Sequence, residues 1–136
     1  IDRALRDEGT SYHYLAPARY SEAPEALIGS LDGAFEDLAV SVTRGATWTT
    51  DAPFRETQEA IDAMRREGLL AVEMEAAALY AFARARDKAV VCFAHVTNQM
   101  GQIEGDFEKG DADGTTDALS VVIGTARRCL GNAEAT

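Results

Sequence analysis

The segment Leu70–Ala85, LAVEMEAAALYAFARA, places two carboxylates, Glu73 and Glu75, on either side of Met74. A strand-like apolar run leads into the pair, and a helix-forming run that is apolar on almost every side follows it. Burying a carboxylate is costly unless it is hydrogen-bonded or neutralised, so these acids need partners. In open α/β sheets ligands bind outside the carboxyl ends of the strands, and a helix N-terminus favours negative charge. A carboxylate at such a join accepts hydrogen bonds, which suits a polyol such as ribose whose neighbouring hydroxyls both donate. Met74 beside it offers a soft apolar floor. The same two acids would also serve as caps of the following helix, and local reasoning leaves both readings open.

Three further stretches carry reactive or polar groups. RDEGTSYHYLAP, Arg6 to Pro17, gathers an arginine, two acids, two hydroxyls, two tyrosines and His13 around Gly9. Neither a cysteine nor a serine nucleophile elbow accompanies the histidine. TWTTDAPFRET, Thr47 to Thr57, holds Asp51 and Thr57, which suit helix capping, and Phe54 and Arg55. An aromatic face next to a guanidinium suits a flat heterocycle with carbonyl groups. In AHVTNQM, Asn98 ends an apolar run; its amide suits donation to a carbonyl oxygen or ring nitrogen, or a turn. The acidic loop GDFEKGDADGTTD lacks the EF-hand pattern and its terminal glutamate, so it reads as a solvated loop and no metal site is expected.

The elements that must position these groups alternate in strand–helix order, which argues for an α/β layer fold. Residues 3–9 read as the end of a strand entering a loop at Gly9. Residues 22–37 have helical spacing (Ala23, Leu27, Leu31, Phe35), weakened by Gly29 and Gly33. LAVSVT, Leu38 to Thr43, reads as a strand, followed by a loop through Pro53. RETQEAIDAMRREG reads as a helix with Gly68 at its end. LLAVEM is a short strand and EAAALYAFARARD a helix. AVVCFAHVT, Ala89 to Thr97, reads as the strongest strand, apolar enough for a sheet covered on both faces. DALSVVIGTARRCLG closes the chain as a helix, and residues 132–136 read as a disordered tail.

The chain has 136 residues, 46% apolar and 26% charged, in keeping with one globular domain. Its formal charge of −10 repels nucleic acid and anionic membrane, which excludes both as partners. An anionic substrate would need a local cluster of arginines. No apolar run approaches the roughly 18 residues of a membrane span, and no basic region followed by an apolar stretch marks a secretory signal. Cys92 and Cys129 lie far apart and read as reduced, buried thiols. The chain opens on Ile1, and IDRALRDEGTSYHY reads as the middle of a longer sequence.

Taken together, VEMEAAALY, RDEGTSYHYLAP, TTDAPFRET and the run ending in Asn98 occur in an order that resembles the nucleoside phosphorylase/nucleosidase family, which includes uridine phosphorylase and hexameric purine nucleoside phosphorylase. The resemblance extends from about Arg6 to the last helix. It implies a three-layer α/β/α fold with a mixed sheet, of which residues 1–131 would form the C-terminal part. It implies that Glu75 binds the ribose hydroxyls, with Met74 packing on the sugar and Glu73 as the other acid of the ribose site. Phe54 matches the aromatic residue against the base. Arg55 falls near the base-reading position, at a shorter spacing than in uridine phosphorylase. Asn98 matches the residue facing the leaving base; adenine-cleaving members usually carry Asp there, so Asn points toward uridine or a 6-oxopurine.

The activity implied is phosphorolysis of an N-glycosidic bond, with Asn98 and Arg55 stabilising charge on the departing base. The partners implied are a nucleoside and inorganic phosphate, with no metal or organic cofactor, in a cytoplasmic homo-oligomer whose subunits share active sites. Family chains run about twice this length, and no counterpart of their Gly-rich phosphate loop is present. Two rival readings are a hydrolytic nucleosidase and a non-catalytic half-domain that needs a partner chain. A flavodoxin-like domain fits less well, because no phosphate-binding glycine turn follows a strand.

Overall fold

The computed structural model describes residues 1–97 and 114–133. Its strands are β1 (Arg3–Asp7), β2 (Tyr20–Glu22), β3 (Ala46–Thr50) and β4 (Leu69–Glu73). Its helices are α1 (Glu25–Ser30), α2 (Gln58–Arg66), α3 (Ala76–Ala85) and α4 (Thr115–Ala133), with single 3₁₀ turns at Thr10–His13 and Pro53–Arg55. The sheet order is β2-β1-β3-β4. β2 runs antiparallel to β1, whereas β1, β3 and β4 are mutually parallel, so the sheet is mixed.

Period-two alternation divides the strands between two cores. Ala4 faces a cluster with Ala23, Ile28, Ala76, Ala77 and Tyr80, which seats α1 and α3 on one side. Leu5, Ala46, Trp48 and Leu69 face Ile61 of α2 on the other. The arrangement is the expected three-layer α/β/α fold with a mixed sheet. α2 and α3 cover opposite faces of the sheet, and the carboxyl ends of its parallel strands meet at Asp7, Thr50 and Glu73.

Local chemistry sets the helix limits. Thr57 caps α2, its hydroxyl accepting the Ala60 N–H at 3.3 Å. Gly68 leaves the helix at φ +82°, a backbone conformation that disfavours side chains with a Cβ. Arg19 and Tyr20 donate to the carboxylate of Glu67, fastening β2 to the end of α2. Those hydrogen bonds, from Arg19 first and Tyr20 second, hold the Glu67 carboxyl down at about 2. Arg128 of α4 reaches the carbonyls of Ser30 and Asp32 at 3.1 and 2.8 Å.

Three expectations are corrected. Leu38–Thr43 is irregular rather than a strand, and the strand of this region is Ala46–Thr50, inside the stretch read as a loop. β1 already has β2 on one side and β3 on the other, so neither of its edges is open to LAVSVT. Its apolar residues Val40 and Val42 instead line a cavity of about 610 Å³ with Phe93 and Val121. Ala89–Thr97 is also irregular. At its centre the Cys92 N–H is taken by the Tyr80 hydroxyl at 3.0 Å and its carbonyl by the backbone nitrogen of Ile1 at 2.9 Å, and no strand forms there. Lastly, the helical spacing of residues 22–37 yields only the six-residue α1, with Gly33 at φ +74° in the turns beyond it. α4 extends to Ala133, the second residue of the stretch read as a tail, and residues 134–136 lie outside the described residues.

Candidate active site

The site is built where β4 ends and α3 begins. Glu73 is the last residue of β4, and Glu75 is the N-cap of α3. The first N–H groups of any helix lack partners within it. Here Glu73 supplies them: its Oε2 accepts the N–H of Glu75 at 2.8 Å and of Ala76 at 2.6 Å. Its Oε1 accepts the hydroxyl of Thr47 at 3.0 Å and that of Thr49. Thr49 in turn accepts the Ala77 N–H at 3.0 Å. A carboxylate offers about four acceptor positions, so the Glu73 carboxylate is saturated by the protein itself.

Glu75 is different. Its side chain is exposed and makes a local contact within the turn, accepting the Met74 N–H at 3.3 Å. Met74 is 48% exposed. The turn therefore presents to solvent a carboxylate, a weakly engaged backbone donor and a thioether. That set matches a vicinal diol, which both donates and accepts.

The neighbouring strand ends complete the edge. Asp51 follows β3 and accepts the Gly9 N–H at 3.1 Å, so it pins the loop after β1 and does not cap a helix. The Trp48 indole N–H donates to Asp7 at 3.0 Å. Arg6 is buried; it donates to the Ser11 hydroxyl and the Ala16 carbonyl, both at 2.8 Å, and lies 4.2 Å from the Tyr12 ring centroid. The dense Arg6–Pro17 cluster is thus a loop organised by a buried guanidinium, and His13 within it is exposed. Cys92 is a free thiol that burial pushes up from its ordinary value.

Phe54 and Arg55 form the 3₁₀ turn after β3. Phe54 is 86% exposed. Arg55 lines a cavity of about 460 Å³ with Arg6, Asp7, Tyr12 and Trp48, on the α2 side of the sheet. Among the described residues no hydrogen bond or salt bridge joins Phe54 or Arg55 to Glu73–Glu75. Asn98 and the acidic loop GDFEKGDADGTTD, apart from its last residues, lie outside the described residues. Among the described residues no group of His, Cys, Asp and Glu is arranged to hold a metal ion, and no helix is long and apolar enough to cross a membrane.

Sequence reasoning missed Thr47 and Thr49. The signal was present: ATWTT carries β-branched and aromatic residues in alternation. The run falls inside the stretch that the sequence reading gives to a loop through Pro53. All five residues of the strand are buried, and their hydroxyl row is what the Glu73 carboxylate required.

The chain is similar to known proteins in sequence and in fold. The chain is 31% identical to a guanosine phosphorylase of Halorubrum lacusprofundi over 111 residues, covering 81% of this chain and 45% of that protein. A uridine phosphorylase from Vibrio fischeri ES114 superposes with a TM-score of 0.57 at 20% identity, over 95% of this chain and 51% of the other. An AMP nucleosidase from Bacteroides thetaiotaomicron superposes with a TM-score of 0.54 at 23% identity, over 65% of this chain and 41% of the other. These two likenesses establish a shared fold. The chain spans about half the length of the relatives it matches. The model of the family described as the phosphorylase superfamily matches residues 1–130, nearly the whole chain. This protein belongs to the phosphorylase superfamily.

Proposed function

We propose that this chain forms the sugar- and base-binding part of a nucleoside phosphorylase. The reaction is cleavage of the N-glycosidic bond of uridine or a 6-oxopurine nucleoside by inorganic phosphate, giving free base and ribose 1-phosphate. The observation that carries this reading is the division of labour at the β4–α3 turn: Glu73 is fully engaged inside, and Glu75 is held out with its acceptors available. The 31% identity to a protein named guanosine phosphorylase supports the phosphorolytic reading and a 6-oxopurine base.

In this mechanism Glu75 accepts hydrogen bonds from the ribose hydroxyls, and the Met74 N–H turns from Glu75 to the sugar. As the glycosidic bond breaks, positive charge grows on the ribose ring and negative charge on the base. The Glu75 carboxylate lies favourably toward the first, and Asn98 and Arg55 toward the second. Phe54 covers the base. Glu73 belongs to the ribose site as the residue that sets the place of Glu75. Phosphate attacks the anomeric carbon from the opposite face, held by groups outside residues 1–136. The reaction needs no metal or organic cofactor. We assign the protein to the cytoplasm and to a homo-oligomer, as the family resemblance implies.

The deciding experiment incubates the complete enzyme with guanosine or uridine, with and without phosphate. Phosphate-dependent release of base together with ribose 1-phosphate is expected. Release of base and free ribose at a rate indifferent to phosphate would make it a nucleosidase. No release under either condition would support a binding module.

A further inference from the structure

We infer that Thr47 and Thr49 of β3 are positioning residues for the sugar site, acting through Glu73 on the backbone of Glu75. The inference rests on the sugar-binding reading of Glu75.

The two threonines are two residues apart on one strand, so their side chains share a face of the sheet, the face covered by α3. Thr47 is 3% and Thr49 0% exposed. β3 and β4 are paired in parallel with Thr49 beside Glu73, which brings both hydroxyls to one carboxylate. A helix cap alone needs a carboxylate oxygen facing the helix N–H groups, and Glu73 Oε2 does that with Glu75 and Ala76. The other oxygen, Oε1, is held separately by both hydroxyls. Two anchors on Oε1 and two on Oε2 fix the carboxylate plane as well as its position. Because the N–H gripped by Oε2 is that of Glu75, the plane of Glu73 sets where the Glu75 backbone sits. Thr49 adds a second tie by accepting the Ala77 N–H, which fixes the helix end against β3.

A diol held by one carboxylate requires both hydroxyls to meet it together, so a small displacement of Glu75 weakens the sugar contact steeply. A buried capping network of purely structural value would have no such selectivity. Loss of the Oε1 anchors should therefore cost ribonucleosides more than 2′-deoxyribonucleosides, which lack one of the two hydroxyls.

The test compares Thr47→Val, Thr49→Val and Thr49→Ser in the complete enzyme, measuring KM and kcat for guanosine and 2′-deoxyguanosine. Valine keeps the shape and removes the hydroxyl; serine keeps the hydroxyl. The expected result is a KM for guanosine raised roughly fivefold to tenfold, a smaller rise for the deoxynucleoside, and near-complete rescue by Thr49→Ser. Equal losses on both substrates, or an unchanged ratio between them, would overturn the inference. Thr47→Val decides the matter if Thr49→Val fails to fold, since Thr47 touches the carboxylate without holding the Ala77 N–H. Glu75→Ala serves as the control. An unchanged ratio in Glu75→Ala means that the sugar-binding reading itself is wrong. A ratio that collapses in Glu75→Ala but stands in Thr47→Val means that only the positioning role is wrong.

Discussion

The two sides of the β4–α3 turn hold the same kind of side chain in opposite states. On the inner side, Glu73 meets two hydroxyls and two backbone N–H groups and has no acceptor position left. On the outer side, Glu75 is exposed and, among the described residues, its side chain is bonded only to the N–H of its own neighbour. One residue, Met74, separates an acid whose acceptors are taken by the protein from an acid whose side chain faces solvent. The difference comes from the alternation of a strand: Glu73 lies in the β4 ladder beside Thr49, so its side chain is committed to the sheet face under α3. Glu75 follows the ladder, where the chain has already turned into the helix. A motif with two acids is thus not two copies of one function.

This contrast can be broken by exchanging the consequences of removing each acid. The largest effect is expected for Glu73→Ala. It strips a charged acceptor from four donors, two of them buried threonine hydroxyls, and should cost about 2–4 kcal/mol of stability by chemical denaturation. A variant as stable as the parent would show that the inner network contributes nothing to folding. Next, Glu75→Ala should lower turnover of a ribonucleoside by roughly tenfold or more, the scale of one charge-assisted contact. Its denaturation midpoint should stay close to that of the parent, because the side chain is exposed. Full activity in this variant would refute the proposed role of Glu75 in sugar binding.

The smallest effect sharpens the comparison with a third carboxylate, Glu67, which is tied to Arg19 and Tyr20 at the surface. Its pKa is depressed from 4.5 to about 2 in the folded chain, first by the Arg19 hydrogen bonds and then by that of Tyr20. A group depressed on folding adds stability above its unfolded value and loses it as pH falls through the folded one. The stability difference between the parent and Glu67→Gln should therefore be present at neutral pH and fade between pH 4.5 and about 2. It should be modest throughout, since Arg19 is largely exposed and the pair is screened by water and salt. Urea midpoints measured across that range check it. A difference that persists undiminished at pH 2 would mean that the glutamine substitution acts through packing rather than charge.

Much of the fold was legible in the residues. The helix of Gln58–Arg66 with its glycine exit, the short strand before Glu73, the alanine-rich helix after Glu75 and the closing helix all follow from local spacing and end signals. The strand–helix join at Glu73–Glu75 was legible for the same reason. The strands at 38–43 and 89–97 were misplaced because apolar, β-branched runs fit any covered surface, whereas a strand exists only where a partner edge is open. LAVSVT has the composition but pairs with no strand of the described sheet; ATWTT has less apolar character and lies between β1 and β4.

The α/β class, the superfamily resemblance and the two acids at the mouth of the sheet can be read from the residues alone, because they depend on residue types and short-range spacing. Which of those acids has its acceptors filled by the protein follows from the folded arrangement alone. That outcome depends on Thr47 and Thr49, some two dozen residues upstream, being brought beside Glu73 by parallel pairing of two strands. A hydrogen bond between groups so far apart along the chain has no local signature, since its geometry exists only once the sheet has formed.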